Sequence, residues 1–370
     1  MIKSLLTVSI AITVLNGIQA GNVICYYPSY SAYDDITPEN LDPTLCTHIN
    51  YAFILLSEDG SLEVADEYLD IDQGLFTRVT NLKLANPSLK VLLSVGGGGQ
   101  SDYFSEIAAD ESKRSTFVVS ANHFLSEYNF DGLDVDWEYP EDADRENYIT
   151  LLRQLKEAFE PKGWLLTAAV SSAVDEHGYN APEMAQYLDF INLMTYDFYG
   201  PWSQYTGQNS ALYASSVESQ YEKANLNVEA AANKWVSAGV PKNRLALGMA
   251  FYGRSFTLSK SSDHGLHAGI TGVGADGGEF AYSQICAEFN DWETVSDEEQ
   301  HNPYKYKDNQ WLGYDNLQSL TDKAQFTVTN GFFGAMIWSI NQDDIFGECG
   351  QGNQTLLRKI NSYINKVTIV

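Results

Sequence analysis

Phe130-Asp131-Gly132-Leu133-Asp134-Val135-Asp136-Trp137-Glu138-Tyr139-Pro140 crowds four acids into eight positions. Side chains of a strand alternate faces at ~3.3 Å per residue, so Asp134, Asp136 and Glu138 point one way, each ~6.6 Å from the next, while Leu133, Val135 and Trp137 point the other. An apolar outer face suits packing beneath the helices of a barrel. It leaves three carboxylates directed inward at the strand's carboxyl end, where barrel enzymes keep their sites. Like charges held this close cannot all ionise, so one acid is expected to stay protonated near neutral pH, as a general acid must. Asp131 has the opposite parity and reads as support at the start of the strand.

Outward from this segment, short runs rich in β-branched and apolar residues alternate with stretches of helical period, the pattern of βα units around a parallel sheet. The candidate strands are Val23–Tyr27, His48–Phe53, Lys90–Val95, Gly132–Asp136, Leu165–Val170, Phe190–Met194, Leu245–Ala250 and Ala335–Ile340. Between them Glu111–Tyr128, Arg145–Phe159 and Ser215–Ala238 read as amphipathic helices, with Gln351–Ile364 closing the chain. Eight strands of this kind predict an α/β fold, a (β/α)8 TIM barrel. The interval from Phe251 to Gly334 is far longer than one helix and two loops require, and predicts an inserted subdomain between strands seven and eight.

The chain has 370 residues, 44% of them hydrophobic and 19% charged, a composition that buries a core and excludes intrinsic disorder. Lys and Arg number 22 against 49 Asp and Glu, for a net charge of −27. A phosphate backbone and an anionic membrane surface are therefore repelled, while an uncharged polymer is not. Lys3, the apolar run Leu5 to Leu15 and the ending Ile18-Gln19-Ala20 read as a secretory signal over residues 1–20, leaving 21–370 as the secreted, extracellular chain. The apolar run is shorter than the ~20 residues that cross a bilayer, which argues against a membrane anchor. In an oxidising route four cysteines allow three pairings; proximity favours Cys25 with Cys46, leaving Cys286 with Cys349. Asn353-Gln354-Thr355 is the one glycosylation sequon.

A metal site is the main rival reading of the acidic strand. Oxygen ligands at this spacing suit Ca²⁺ or Mg²⁺, but the twelve-residue Ca loop pattern is absent and no histidine stands nearby. Neither metal nor organic cofactor is expected. The glycine run Gly96 to Gly99 lacks the Lys-Ser/Thr ending of a phosphate loop.

Asp131-Gly132-Leu133-Asp134-Val135-Asp136-Trp137-Glu138 resembles the DGxDxDxE signature of family 18 glycoside hydrolases, the chitinases. Further segments are similar to the family's and fall in its order: Tyr26-Tyr27-Pro28, Asn50-Tyr51-Ala52-Phe53, Ser94-Val95-Gly96-Gly97, Met194-Thr195-Tyr196-Asp197, Tyr252-Gly253-Arg254-Ser255-Phe256 and Gly334-Ala335-Met336-Ile337-Trp338. The resemblance implies a barrel over residues 21–370, with an α/β insertion within 254–330 walling the cleft. It implies Glu138 as the acid, Asp136 as the group that orients the substrate's acetamido arm, Asp134 as its partner, and Tyr196 as the hydroxyl that holds the acetamido oxygen. It also implies a substrate cleft formed by Tyr27, Phe53, Gly97, Tyr139, Met194, Asp197, Trp202, Tyr252, Arg254 and Trp338. Chitin or a chito-oligosaccharide is the implied substrate, and a monomer is expected. Two relatives of the same fold define the alternatives. One is a chitinase-like lectin or growth-factor-type protein, which generally lacks the acid glutamate; the other is an enzyme that cleaves N-glycan cores or chitobiose ends, against which the insertion argues. One departure stands out: where chitinases of this family usually carry a tryptophan after the Ser94–Gly97 segment, this chain has Gly98 and Gly99.

Overall fold

Asn22–Pro28, His48–Leu56, Lys90–Gly96, Gly132–Asp136, Leu165–Ser171, Phe190–Met194, Leu245–Ala250 and Gly334–Trp338 pair in parallel in chain order, and the eighth strand returns to the first. They close the (β/α)8 barrel. The structure, a computed structural model, describes residues 21–365. The secretory-signal reading of residues 1–20 lies outside the described residues. Among the described residues no helix is long and apolar enough to cross a membrane.

The parity of each strand decides what it builds. On the fourth strand Leu133 and Val135 face outward into one continuous apolar shell with the helices, including Leu151, Leu155 and Phe159 of Arg145–Phe159. Inward positions form a smaller cluster of Ile24, Tyr26, Ala52, Ala169, Phe190, Met194 and Met336. Of the expected helices, Arg145–Phe159 forms with those bounds and the earlier one spans Glu111–Glu127. Ser215–Ala238, read as one helix, is two, Gln220–Asn225 and Val228–Ser237. Asn227 separates them: its buried side chain accepts the Ala230 amide at 2.8 Å and caps the second helix. The closing helix is Thr355–Ile364. The eighth strand stops at Trp338, short of the expected Ile340, because the Gln342 side chain accepts the Ser339 amide at 3.1 Å and a 3-10 turn starts at Ile340.

The insertion is a six-stranded antiparallel sheet of Tyr252–Leu258, Ile270–Val273, Glu279–Ala281, Glu293–Asp297, Asn302–Lys307 and Gln310–Gly313, with the helix Tyr282–Glu288. The next helix, Leu317–Thr329, packs on the closing helix and on barrel strands seven and eight. It belongs to the barrel, so the inserted sheet spans 252–313, a different interval from the expected 254–330. Cys25 is joined to Cys46, and Cys286 to Cys349, which ties the insertion's helix to the segment before the closing helix.

Candidate active site

At the carboxyl end of the barrel a cleft of about 480 Å³ opens over the fourth strand. Tyr26, Gly98, Asp136, Glu138, Tyr139, Met194, Tyr196, Asp197, Trp202 and Trp338 line it. The three same-parity acids occupy three depths. Asp134 is fully buried, and both its oxygens are saturated: Tyr26 and Ser94 hydroxyls donate to Oδ2 at 2.7 and 2.8 Å, and the Thr167 hydroxyl and Asn192 amide donate to Oδ1 at 2.5 and 3.1 Å. Burial pushes its carboxyl up while these four donors pull it back. Asp136, one pleat further, is also buried, and its Oδ1 has no hydrogen-bond partner among the described residues. Burial first, then the charges of Glu138 and Asp134, drive it well above the usual carboxylate range. Glu138 is half-buried at the cleft; burial and then the Asp197 charge raise it, opposed by the Tyr139 hydroxyl.

The backbone around the acid is held by the loop after the third strand. The Gly97 amide donates to the Asp136 carbonyl at 2.8 Å, and the Glu138 amide donates to the Ser101 hydroxyl at 2.9 Å. Gly97 has φ +90°, and a Cβ there would lie 2.5 Å from the Phe53 ring, so glycine is required by both conformation and space. Phe53 in turn stacks on Trp338 at 5.7 Å and 26°, and Tyr26 packs on Trp338 at a tilt, at 5.5 Å. Gly97 and Phe53 thus act on the cleft through Trp338 and the acid's backbone.

The opposite wall joins barrel to insertion. Asp197, in a left-handed conformation after the sixth strand, accepts from the Tyr252 hydroxyl at 2.8 Å and from Arg254 Nε and Nη2 at 2.9 and 2.7 Å. Arg254 also pairs with Glu279 at 2.7 Å and lies 5.9 Å from the ring of Trp202. Trp202 is 62% exposed, an aromatic face open to solvent at the rim. Tyr196 packs edge-on to Tyr252 at 6.1 Å, and burial holds its hydroxyl protonated far above neutral pH. Met194 lies beside it, nearly buried.

One expected cleft residue is elsewhere. Tyr27 is fully buried on the barrel's outer face, where its hydroxyl donates to the Ile36 carbonyl at 2.9 Å. The inward residue of the pair is Tyr26, because neighbouring positions of a strand take opposite faces. Ser94, Thr167 and Asn192 also escaped the sequence reading. Their signal is a lone polar residue inside an apolar run: Ser94 after Val91-Leu92-Leu93, Thr167 after Leu165-Leu166, Asn192 after Phe190-Ile191. Ser94, Asp134 and Thr167 are direct register partners. Asp131 does sit at the strand's start, accepting from Lys83 Nζ and the Val91 amide, both at 2.9 Å. Asn353 is exposed.

The family model for glycosyl hydrolases family 18 matches residues 22–343. Mouse chitotriosidase-1 is 39% identical over 375 residues, covering 94% of this chain and 78% of the mouse protein. A group IV chitinase of Ostrinia furnacalis superimposes with TM-score 0.90 at 37% identity over 93% of this chain and 99% of its own; it is also solved in complex with allosamidin. Human YKL-39, described as a pseudo-chitinase with retained chitooligosaccharide binding, superimposes with TM-score 0.88 at 34% identity over 93% of this chain and all of its own. A barrel of this register, with stacked inward acids and a walled cleft, is that of a chitinase-family glycosidase fold, and the chain belongs to family 18 of the glycosyl hydrolases.

Proposed function

We propose that the protein is a secreted, endo-acting chitinase that cleaves β-1,4 bonds between N-acetylglucosamine units with retention of configuration. The observation that carries this reading is the gradient along one strand: Asp134 saturated with donors, Asp136 buried without one, and Glu138 raised and facing the cleft. Ordinary retaining enzymes need a second carboxylate ~5 to 5.5 Å from the acid to attack the sugar, and family 18 replaces it with the substrate. Glu138 donates its proton to the glycosidic oxygen as the bond to carbon 1 breaks. The carbonyl oxygen of the 2-acetamido group on the same sugar attacks carbon 1 from the opposite face, closing a positively charged oxazolinium ring. Asp136 accepts from the acetamido N–H and balances that charge, with Asp134 held by its four donors behind it. Tyr196, its hydroxyl protonated, steadies the acetamido oxygen in line. Water then attacks carbon 1, giving its proton to Glu138, and the second inversion restores the original configuration. Trp202 and Trp338 offer ring faces to the pyranose C–H surfaces, with the buried Tyr26 supporting Trp338 from beneath the cleft.

The test is Glu138→Gln. It keeps the shape and removes the proton, so kcat on chito-oligosaccharides should fall by several powers of ten while binding to chitohexaose persists. A variant of full activity overturns the assignment. The structural likeness to YKL-39 and the glycine at position 98 favour a second reading, a sugar-binding protein without turnover. Wild-type protein that binds chitohexaose and releases no product would decide for it.

A further inference from the structure

The loop after the fifth strand, residues 172–180, is anchored on both sides of its apex. Asp175 pairs with Lys234 at 2.6 Å, and Glu176 accepts from the Tyr221 hydroxyl at 2.8 Å. Beyond the apex the Tyr179 hydroxyl accepts the Ser171 amide at 3.1 Å, and its ring packs on Trp235 at 5.1 Å. At the apex this loop touches the one that follows the acid. The Gly178 amide donates to the Pro140 carbonyl at 2.8 Å, and a Cβ on Gly178 would lie 1.8 Å from the Glu141 carbonyl oxygen, so only glycine allows the approach.

The approach sets His177 against Tyr139. The two rings stack with centroids 4.5 Å apart and planes 25° from parallel. Both acids of the loop turn away to Lys234 and Tyr221, and the imidazole makes no side-chain hydrogen bond or ion pair among the described residues. Its other ring contact is edge-on to Tyr179, at 5.8 Å. Tyr139 needs such a partner. It is 39% exposed and follows the acid directly in the chain. A ring that open exchanges rotamers unless something packs on its face.

We propose that His177 is a positioning residue, whose imidazole clamps the Tyr139 ring beside Glu138 and so fixes both the cleft wall at that point and the setting of the acid. The inference rests on Glu138 being the acid. The role of His177 follows from the anchored loop and the ring stack.

Steady-state kinetics on a fluorogenic chito-oligosaccharide test it, with a double-mutant cycle. From the usual worth of an aromatic pair, His177→Ala should lower kcat/KM about twofold to tenfold with Tm little changed. His177→Phe, which keeps a flat ring and loses the titratable nitrogens, should recover most of the loss. In a Tyr139→Ala background, His177→Ala should add little, because the clamp has nothing left to hold. Wild-type kinetics for His177→Ala, no recovery in His177→Phe, or full additivity with Tyr139→Ala each overturn the proposal. Glu138→Gln run alongside separates the two claims: an active Glu138→Gln sinks the catalytic reading, whereas an inactive one with normal His177→Ala sinks only this one.

Discussion

Asp134 and Asp136 stand two positions apart on one strand in opposite company, and the contrast turns a row of acids into ordered chemistry. Four donors make Asp134 a place where negative charge can rest in the core; Asp136, with an unpartnered oxygen, is left to a ligand's N–H. Asp136→Asn should therefore cost kcat more than KM, since an amide carbonyl still accepts a hydrogen bond but carries no charge to balance an oxazolinium ring; equal losses in both would contradict that role. Gly98 is the residue-scale question on the other side of the acid. A Cβ there would meet only the Glu138 carboxylate oxygens, at 3.7 and 3.9 Å, and unlike Gly97 and Gly99 its φ is not positive. The position thus has room for a side chain. Gly98→Trp should restore a stacking surface worth roughly 1 kcal/mol and tighten chitohexaose binding about fivefold, measured by calorimetry in a Glu138→Gln background; unchanged affinity would show that no sugar passes there.

At the scale of elements, the buried cap between the two helices after the sixth strand carries a stability prediction. Asn227 accepts from the Ala230 amide and donates to the Lys223 carbonyl at 2.9 Å, joining the end of one helix to the start of the next. Asn227→Ala should cost about 1 to 2 kcal/mol, read as a lower denaturant midpoint with unchanged slope. The same junction shows where sequence reading failed. The amphipathic pattern runs through Ser215 to Ala238, and only the capping chemistry of Ser219 and Asn227 marks the break. Barrel strands were legible to within about two residues at most ends because strands buried on both faces read as continuous apolar runs. The acid motif was legible because three carboxylates in such a run have no structural excuse. Tyr26 was not, since two adjacent tyrosines differ only in parity; nor was the polar ring around Asp134, since register between strands distant in sequence is set by barrel closure. His177 was invisible for the same reason: nothing in the order of residues says which loop leans on the acid's neighbour.

Across the whole molecule, buried carboxyls set the pH response. Asp70 and Asp343 are raised to about 6, in both cases chiefly by burial, and Asp134, Asp136 and Glu138 are raised as well. A carboxyl raised in the folded state stabilises fully below its unfolded pKa, and that contribution is lost as pH climbs through the folded value. Asp70 and Asp343 each give up on the order of 3 kcal/mol between about pH 4 and 7. The surplus of 49 acids over 22 bases adds self-repulsion as they ionise. Tm by calorimetry should accordingly be several degrees higher at pH 5 than at pH 8, and salt should narrow the gap; a flat profile would contradict this. On the proposed reading, in which Glu138 acts as the proton donor, activity should persist above the ordinary carboxylate range and fade as pH rises through that group's titration. The insertion has an architectural consequence of its own. Its first and last strands are hydrogen-bonded neighbours, with Arg254 opposite Gly313. The chain therefore leaves and re-enters the barrel through a doorway one strand wide, like a cassette clipped into a slot, so excising it should leave a foldable drum whose Asp197 has lost its guanidinium tether.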